Sequence, residues 1–321
     1  MPPLLKLILI RLGLGLLTLF LVTLVVFFAT QALPGDAARS ILGKEATKVA
    51  RYEALRKELG LDRPVVTQYT SWLADVATGD FGSSLVGGGE KVTTLLQSRI
   101  VNSATLVFLA ALISVPISIV IGATSAIWRD SRFDNVVNLG NLSLAALPEF
   151  VIGIVLVLFF ATTVFKWLPS VSNINAFAPL SGQMLLFALP VATLVLAVIP
   201  YVSRMMRAST VEVLESEYVM MARLKGISES RVLWHHALPN AIVPTIQVIA
   251  ICIAWLAGGI TVEYLFGFPG IGSALVDAVA NRDMPVVQAL CLLIAAVYVV
   301  LNLLADILTI LISPRLRTGL R

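Results

Sequence analysis

Six long apolar runs organise the chain, near residues 9–31, 102–127, 136–165, 183–202, 241–262 and 286–312. A helix needs roughly 20 apolar residues to cross the hydrocarbon core of a bilayer, so each run predicts one spanning helix. The third run is long and is expected to tilt, kink or extend beyond the bilayer. Pro116, Pro148 and Pro190 interrupt the second, third and fourth runs. The apolar stretch Leu12 to Ala29 exceeds the about 7–15 residues of a signal-peptide core. The residues after it, Ala29-Thr30-Gln31-Ala32, offer no clean cleavage site, so the run is read as a retained span.

Two polar segments interrupt this pattern. In the first, residues 32–99, the stretch Glu45 to Leu59 places Val49, Tyr52, Leu55 and Leu59 at helical spacing, with Lys48, Arg51, Arg56 and Lys57 between them. It predicts an interfacial or protein-packed helix with Gly60 as its stop. In the second, residues 203–240, Ser216 can cap a short helix. Glu217 would stand in its first turn and Arg223 and Lys225 in its last, each charge complementing the helix dipole. Gly226 can adopt the left-handed conformation that ends a helix. Tyr218 and Ala222 fall on one face. Met220 and Met221 need something to cover them, either the membrane surface or a partner.

Composition agrees with a lipid-solvated chain: 58% of 321 residues are hydrophobic and 13% charged, with a mean hydropathy of +0.92, against about 25% charged in soluble domains. The net charge of +4 follows topology rather than nucleic-acid binding. Lys6 and Arg11 precede the first span, and Arg315, Arg317 and Arg321 follow the last. Arg129 and Arg132 lie between spans two and three, and Arg204, Arg207, Arg223, Lys225 and Arg231 between four and five. The opposite short loops hold only Lys166 and Arg282. Basic residues in short loops mark the cytoplasmic side. Six spans with both termini cytoplasmic satisfy every loop.

Candidate chemistry is sparse. Gly87-Gly88-Gly89-Glu90-Lys91 lacks the adjacent Gly-Lys of a phosphate-binding loop, so the chain is not expected to hydrolyse ATP by itself. No HExxH, GxSxG or paired carboxylates suggest an enzyme. Adjacent His235 and His236 point to different helix faces and make a poor metal pair. Cys252 and Cys291 lie in apolar runs and read as small hydrophobes. Glu149 in span three and Asp306 in span six are acids within the membrane, which marks a translocation path or a structural partner; for Asp306 the structural role is favoured.

Glu217-Tyr218-Val219-Met220-Met221-Ala222-Arg223-Leu224-Lys225-Gly226, followed by His236, Leu238-Pro239 and Asn240-Ala241, resembles the EAA loop of ABC importer permeases. The form is that of the oligopeptide, dipeptide and nickel permease family. An acid often stands six before the glycine in the wider superfamily; here that position is Met220 and the acid is Glu217, as is usual for the peptide branch. Leu33-Pro34-Gly35-Asp36, Leu59-Gly60-Leu61-Asp62-Arg63-Pro64, Gly79-Asp80-Phe81-Gly82, Val262-Glu263-Tyr264-Leu265-Phe266, Pro269-Gly270-Ile271-Gly272 and Arg282-Asp283-Met284-Pro285 also resemble the family, in order. Asn302 to Asp306 and Pro314-Arg315 resemble its last helix and tail. Ser313 stands where the family often has Asp, so a salt bridge from that acid is not expected. The long first outer segment suggests a B-type subunit.

The resemblance implies an all-α polytopic membrane protein of six spans with the type I, MetI-like permease fold, in a bacterial cytoplasmic membrane. Residues 1–31 would form the N-terminus and first helix, 32–99 an extracytoplasmic segment, and 100–321 a five-helix core with the coupling loop at 212–240. It implies a permease subunit of an ATP-driven importer, forming the path for peptides delivered by an extracytoplasmic binding protein. Its partners would be a second, C-type permease and two ABC ATPases, which use the ATP and Mg; this chain would bind no cofactor. Glu217, Tyr218, Ala222, Arg223, Lys225 and Gly226 would make the coupling helix, Ala222 allowing close approach and the charged residues pairing with the ATPase or holding the loop. Import of nickel chelates or other small solutes, and ion-coupled secondary transport through the proline-interrupted spans, are the alternatives.

Overall fold

The computed structural model describes residues 3–32, 38, 42, 49–58, 62–86 and 88–312. Residues 33–36, the expected stop at Gly60, Gly87, Ser313 and the tail arginines lie outside the described residues. Helix α1 (Pro3–Ala32) carries the first apolar run, and α2 (Val49–Glu58) and α3 (Val65–Ala77) follow on the outer side. Helix α4 (Val92–Ile127) begins well before its apolar run, so the second span emerges directly from the outer segment.

The third run is broken in two. Helix α5 (Arg132–Ala146) and helix α6 (Glu149–Val157), continued by a π-helical turn Leu158–Thr162, meet at 100°. Pro148 has no N–H and disfavours the helical region for the residue before it. Leu147 accordingly sits at φ −90°, ψ 131° and Pro148 at φ −59°, ψ 144°. The Leu147 N–H donates back to Leu144 O and the Val151 N–H back to Pro148 O, and no backbone hydrogen bond crosses between the two halves.

The two halves still make one crossing, because together they follow helix α7 (Met184–Leu214) along its length. Asp134 pairs with Arg207 near the inner end, and Asn141 donates to Ser203 Oγ at 3.0 Å. Gly153 then lies against Thr193, and Leu156 and Phe160 share an apolar cavity of about 550 Å³ with Met184 and Phe187 near the outer end. Helices α8 (Glu217–Leu224), α9 (Leu238–Ala257), α10 (Ile260–Leu265), α11 (Ile271–Ala280) and α12 (Met284–Ile312) follow. With the α5–α6 pair counted as one crossing, the helices apolar and long enough to span among the described residues are α1, α4, α5–α6, α7, α9 and α12, six as the pattern predicts.

Small residues set the closest packing, as expected where lipid supplies no hydrophobic drive between helices. Ala110, Ser114, Ser118 and Gly122 are buried along α4. A β-carbon on Gly122 would lie 2.4 Å from the Ser203 carbonyl oxygen, so α4 and α7 touch backbone to backbone there. Outward from this contact Leu106, Leu194, Val198, Val202, Leu256 and Phe266 form the main apolar core. Within α7, Pro190 cannot donate to the Leu186 carbonyl; Ser172 Oγ donates to it instead, at 2.6 Å.

Candidate functional site

Helix α8 forms an elbow between α7 and α9. Val219 and Ala222 are buried against Val232, with Val213, Tyr218 and Ile227 closing the cluster. This anchors one face only. On the other, Met220, Met221 and Leu224 are 60%, 54% and 75% exposed, and Trp234 nearby is 64% exposed. An exposed apolar patch held on a short, anchored helix is a candidate contact surface for a partner or a membrane.

The end of α8 is fixed by its main chain. Gly226 sits at φ +76°; its N–H donates to the Arg223 carbonyl at 2.9 Å, and the Ile227 N–H reaches back to Ala222 at 3.2 Å. These two bonds make a Schellman motif, with Ile227 supplying the accompanying apolar contact. Ser216 stands at the cap position, but contrary to expectation its hydroxyl makes no capping bond. It donates instead to Val213 O at 2.5 Å, a carbonyl at the end of α7 that also accepts the Ser216 N–H at 3.1 Å.

The charged residues divide. Arg223 grips Glu229 through two bonds, Nε to Oε1 at 3.0 Å and Nη2 to Oε2 at 3.2 Å, and so spans the turn after Gly226. Both partners are exposed, which makes the pair worth little to stability but useful for holding shape. Glu217 and Lys225 are exposed and make no ion pair among the described residues.

Beyond the short helical turn Glu229–Arg231, residues Val232–Ala237 form a π-helical turn leading into α9. Its cause is local: Pro239 at the start of α9 removes one donor and crowds the carbonyl four residues earlier, widening the helix. The His236 carbonyl accepts from Asn240 Nδ2 at 2.8 Å and from the Tyr218 hydroxyl at 3.4 Å, tying α8 to the base of α9. His235 and His236 both lie in this turn, and no group of three metal-ligating side chains occurs among the described residues.

The two membrane acids part company. Asp306 on α12 accepts from Arg11 Nε of α1 at 3.1 Å and from Gln247 Nε2 of α9 at 3.3 Å, a structural knot of three spans. Glu149 is half-buried at the first position of α6, beside the break, and makes no hydrogen bond or ion pair among the described residues.

Three further polar clusters escaped the sequence reading. Asp134 is held by Arg207, Ser125 and Asn138. Glu263 accepts from Ser103 Oγ at 2.5 Å and from the Gly272 and Ser273 N–H groups at the start of α11. Asp283 accepts from Ser84 and, at 3.1 Å, from the Leu85 N–H. Glu263 and Asp283 fall inside motif segments, and that was the available signal; the distant partners Ser103 and Ser84, 160 and 199 positions away in sequence, left none.

Comparison with known proteins follows these features along the chain. Residues 114–318 match the family described as "Binding-protein-dependent transport system inner membrane component", and residues 4–88 match the N-terminal segment of such membrane components. The chain is 37% identical to "Probable peptide ABC transporter permease protein y4tP" of Sinorhizobium fredii, over 92% of this chain and 94% of that one. It is 36% identical to the glutathione transport system permease protein GsiC of Pectobacterium atrosepticum, over 95% and 96%. To GsiC of Escherichia coli K12 it is 35% identical over the same shares. This helical chain with an anchored elbow between two of its apolar helices, matched by these models over nearly its whole length, belongs to the family of binding-protein-dependent transport system inner membrane components.

Proposed function

We propose that the chain is a B-type permease subunit of an ATP-driven ABC importer and forms part of the translocation path for peptides released by an extracytoplasmic binding protein. The single observation that carries this reading is α8, a helix anchored on one face and offering Met220, Met221 and Leu224 on the other. In this reading the ATPase subunit covers that patch. ATP and Mg act at the ATPases, and their closure moves the elbow as a rigid body between two states. Tyr218 and the His236 carbonyl transmit the displacement to α9; Arg223 and Gly226 keep the elbow's shape; Glu217 and Lys225 meet charges on the partner; Ala222 permits close packing beneath the helix. A second, C-type permease completes the path, which Glu149 lines.

The cargo assignment draws on relatives named for peptides and for glutathione, itself a tripeptide. Nickel chelates or other small solutes are the alternative cargo within the family. An ion-coupled secondary transporter would leave the α8 patch without a purpose. The deciding experiment is reconstitution with the second permease, both ATPases and the binding protein in liposomes. Uptake of a peptide library should require ATP and survive collapse of ion gradients. Uptake driven by an ion gradient without ATP would refute the reading.

A further inference from the structure

We propose that Glu149 is a cation-recognition point of the path, at which the amino-terminal ammonium group of a peptide is held during passage. This rests on the peptide-importer reading above and adds a selecting role to the permease itself.

The first argument is contrast. Asp134, Glu263, Asp283 and Asp306 are each answered by two or more donors from other parts of the chain. Glu149 is answered by none among the described residues. An acid within a span carries an insertion cost and normally faces a partner or a water-filled space. Among the described residues none supplies that partner.

The second argument is place. The contacts Asn141–Ser203 and Gly153–Thr193 bracket Glu149, which puts it level with the middle of α7. There Pro200 gives no N–H to the Leu196 carbonyl, and across the break Glu149 and Phe150 give none to Ala145 and Ala146. The carboxylate thus shares a level of the span with three main-chain carbonyls that lack helical donors. An ammonium group, with three N–H donors and no acceptor, matches that set. Broken backbone at membrane depth is tolerated only where protein buries it or where it lines a water-filled cavity, and in secondary transporters interrupted helices near the midplane hold the solute. A lysine of the second permease would offer the same three donors, and the state of the E149Q complex separates that source from a peptide.

The test uses the complete transporter in liposomes, with its binding protein and a defined library of di- to hexapeptides as probe. E149Q should assemble normally and keep the ATPase activity stimulated by loaded binding protein. It should import about tenfold less peptide per ATP, the scale of one charge-assisted hydrogen bond. E149D should recover most of that loss. For peptides acetylated at the amino terminus, E149Q and wild type should coincide. Unchanged import per ATP, or an equal loss for acetylated peptides, would overturn the proposal. So would loss of the second permease from purified E149Q complexes, which would assign the acid to a subunit contact. A wild-type complex that imports no peptide at all would instead remove the peptide reading on which this inference stands.

Discussion

Arg207 holds Asp134 in a forked grip, Nε to Oδ1 at 2.7 Å and Nη2 to Oδ2 at 2.6 Å, and so pins the start of the broken third span to α7. The Asp134 side chain is 1% exposed and that of Arg207 25%. Ser125 and Asn138 fill the carboxylate's remaining acceptor positions. A buried pair contributes little over an apolar replacement, but breaking one leaves a charge stranded.

R207A should therefore destabilise the chain by on the order of 3–5 kcal/mol. The measurement is thermal unfolding of the detergent-purified protein. D134N combined with R207Q should recover much of that loss, since no unpaired charge remains. A mild effect of R207A alone would mean that water reaches Asp134 and the grip is not a closed one.

At Gly226 the prediction separates conformation from space. Its φ is +76°, and a β-carbon there would meet nothing within 4 Å. G226A should cost about 1 kcal/mol from the left-handed backbone alone, and G226V more, because β-branching narrows the choice further. Transport should fall in the order glycine, alanine, valine while membrane insertion stays intact. Full uptake by G226V in vesicles would show that the Schellman turn has no part in coupling.

The six spans were legible because length and hydropathy are local properties. So was the elbow: charge order, the methionine pair and a glycine at the right place foretold α8 from ten residues. Pro148 announced a break in the third span but not its 100° angle, which depends on how both halves lie against α7. Asp134, Glu263 and Asp283 were opaque for the same reason. Each is explained by donors far away in the chain, and without the fold an acid near a span end looks like any loop charge. Ser216 shows the limit at short range: its hydroxyl can accept from an α8 N–H or donate to the Val213 carbonyl, and the sequence does not say which wins.

The exposed face of α8 allows a test that leaves the fold alone. Met220, Met221 and Leu224 contribute little to the elbow's own packing, so M221D and L224D should change thermal stability by no more than about 0.5 kcal/mol, as for ordinary surface positions. The same substitutions should reduce co-purification of the ATPases and abolish ATP-driven uptake. Retained ATPase binding by the double variant would place the docking surface elsewhere.

The outer end offers the complementary case. Arg99, Asn102 and Ser103 on α4 stitch the loop between α10 and α11, with Asn102 Nδ2 donating to the Pro269 carbonyl at 2.8 Å and Ser103 Oγ accepting from the Ile271 N–H at 2.8 Å. Glu263 lies beneath, capping the α11 amides through Gly272 at 2.7 Å while taking the Ser103 hydroxyl. Removing the carboxylate strands two buried N–H groups and a hydroxyl at once, each worth about 1–3 kcal/mol when left without a partner. E263A should consequently loosen α11 from α4, and hydrogen exchange at Ile271 to Ser273 should rise well above wild type. E263Q keeps one acceptor oxygen in place and should fall between the two. Equal protection in all three proteins would mean that α11 is held by its apolar contacts with Val92, Leu96 and Leu290 and that the carboxylate is incidental to the outer face.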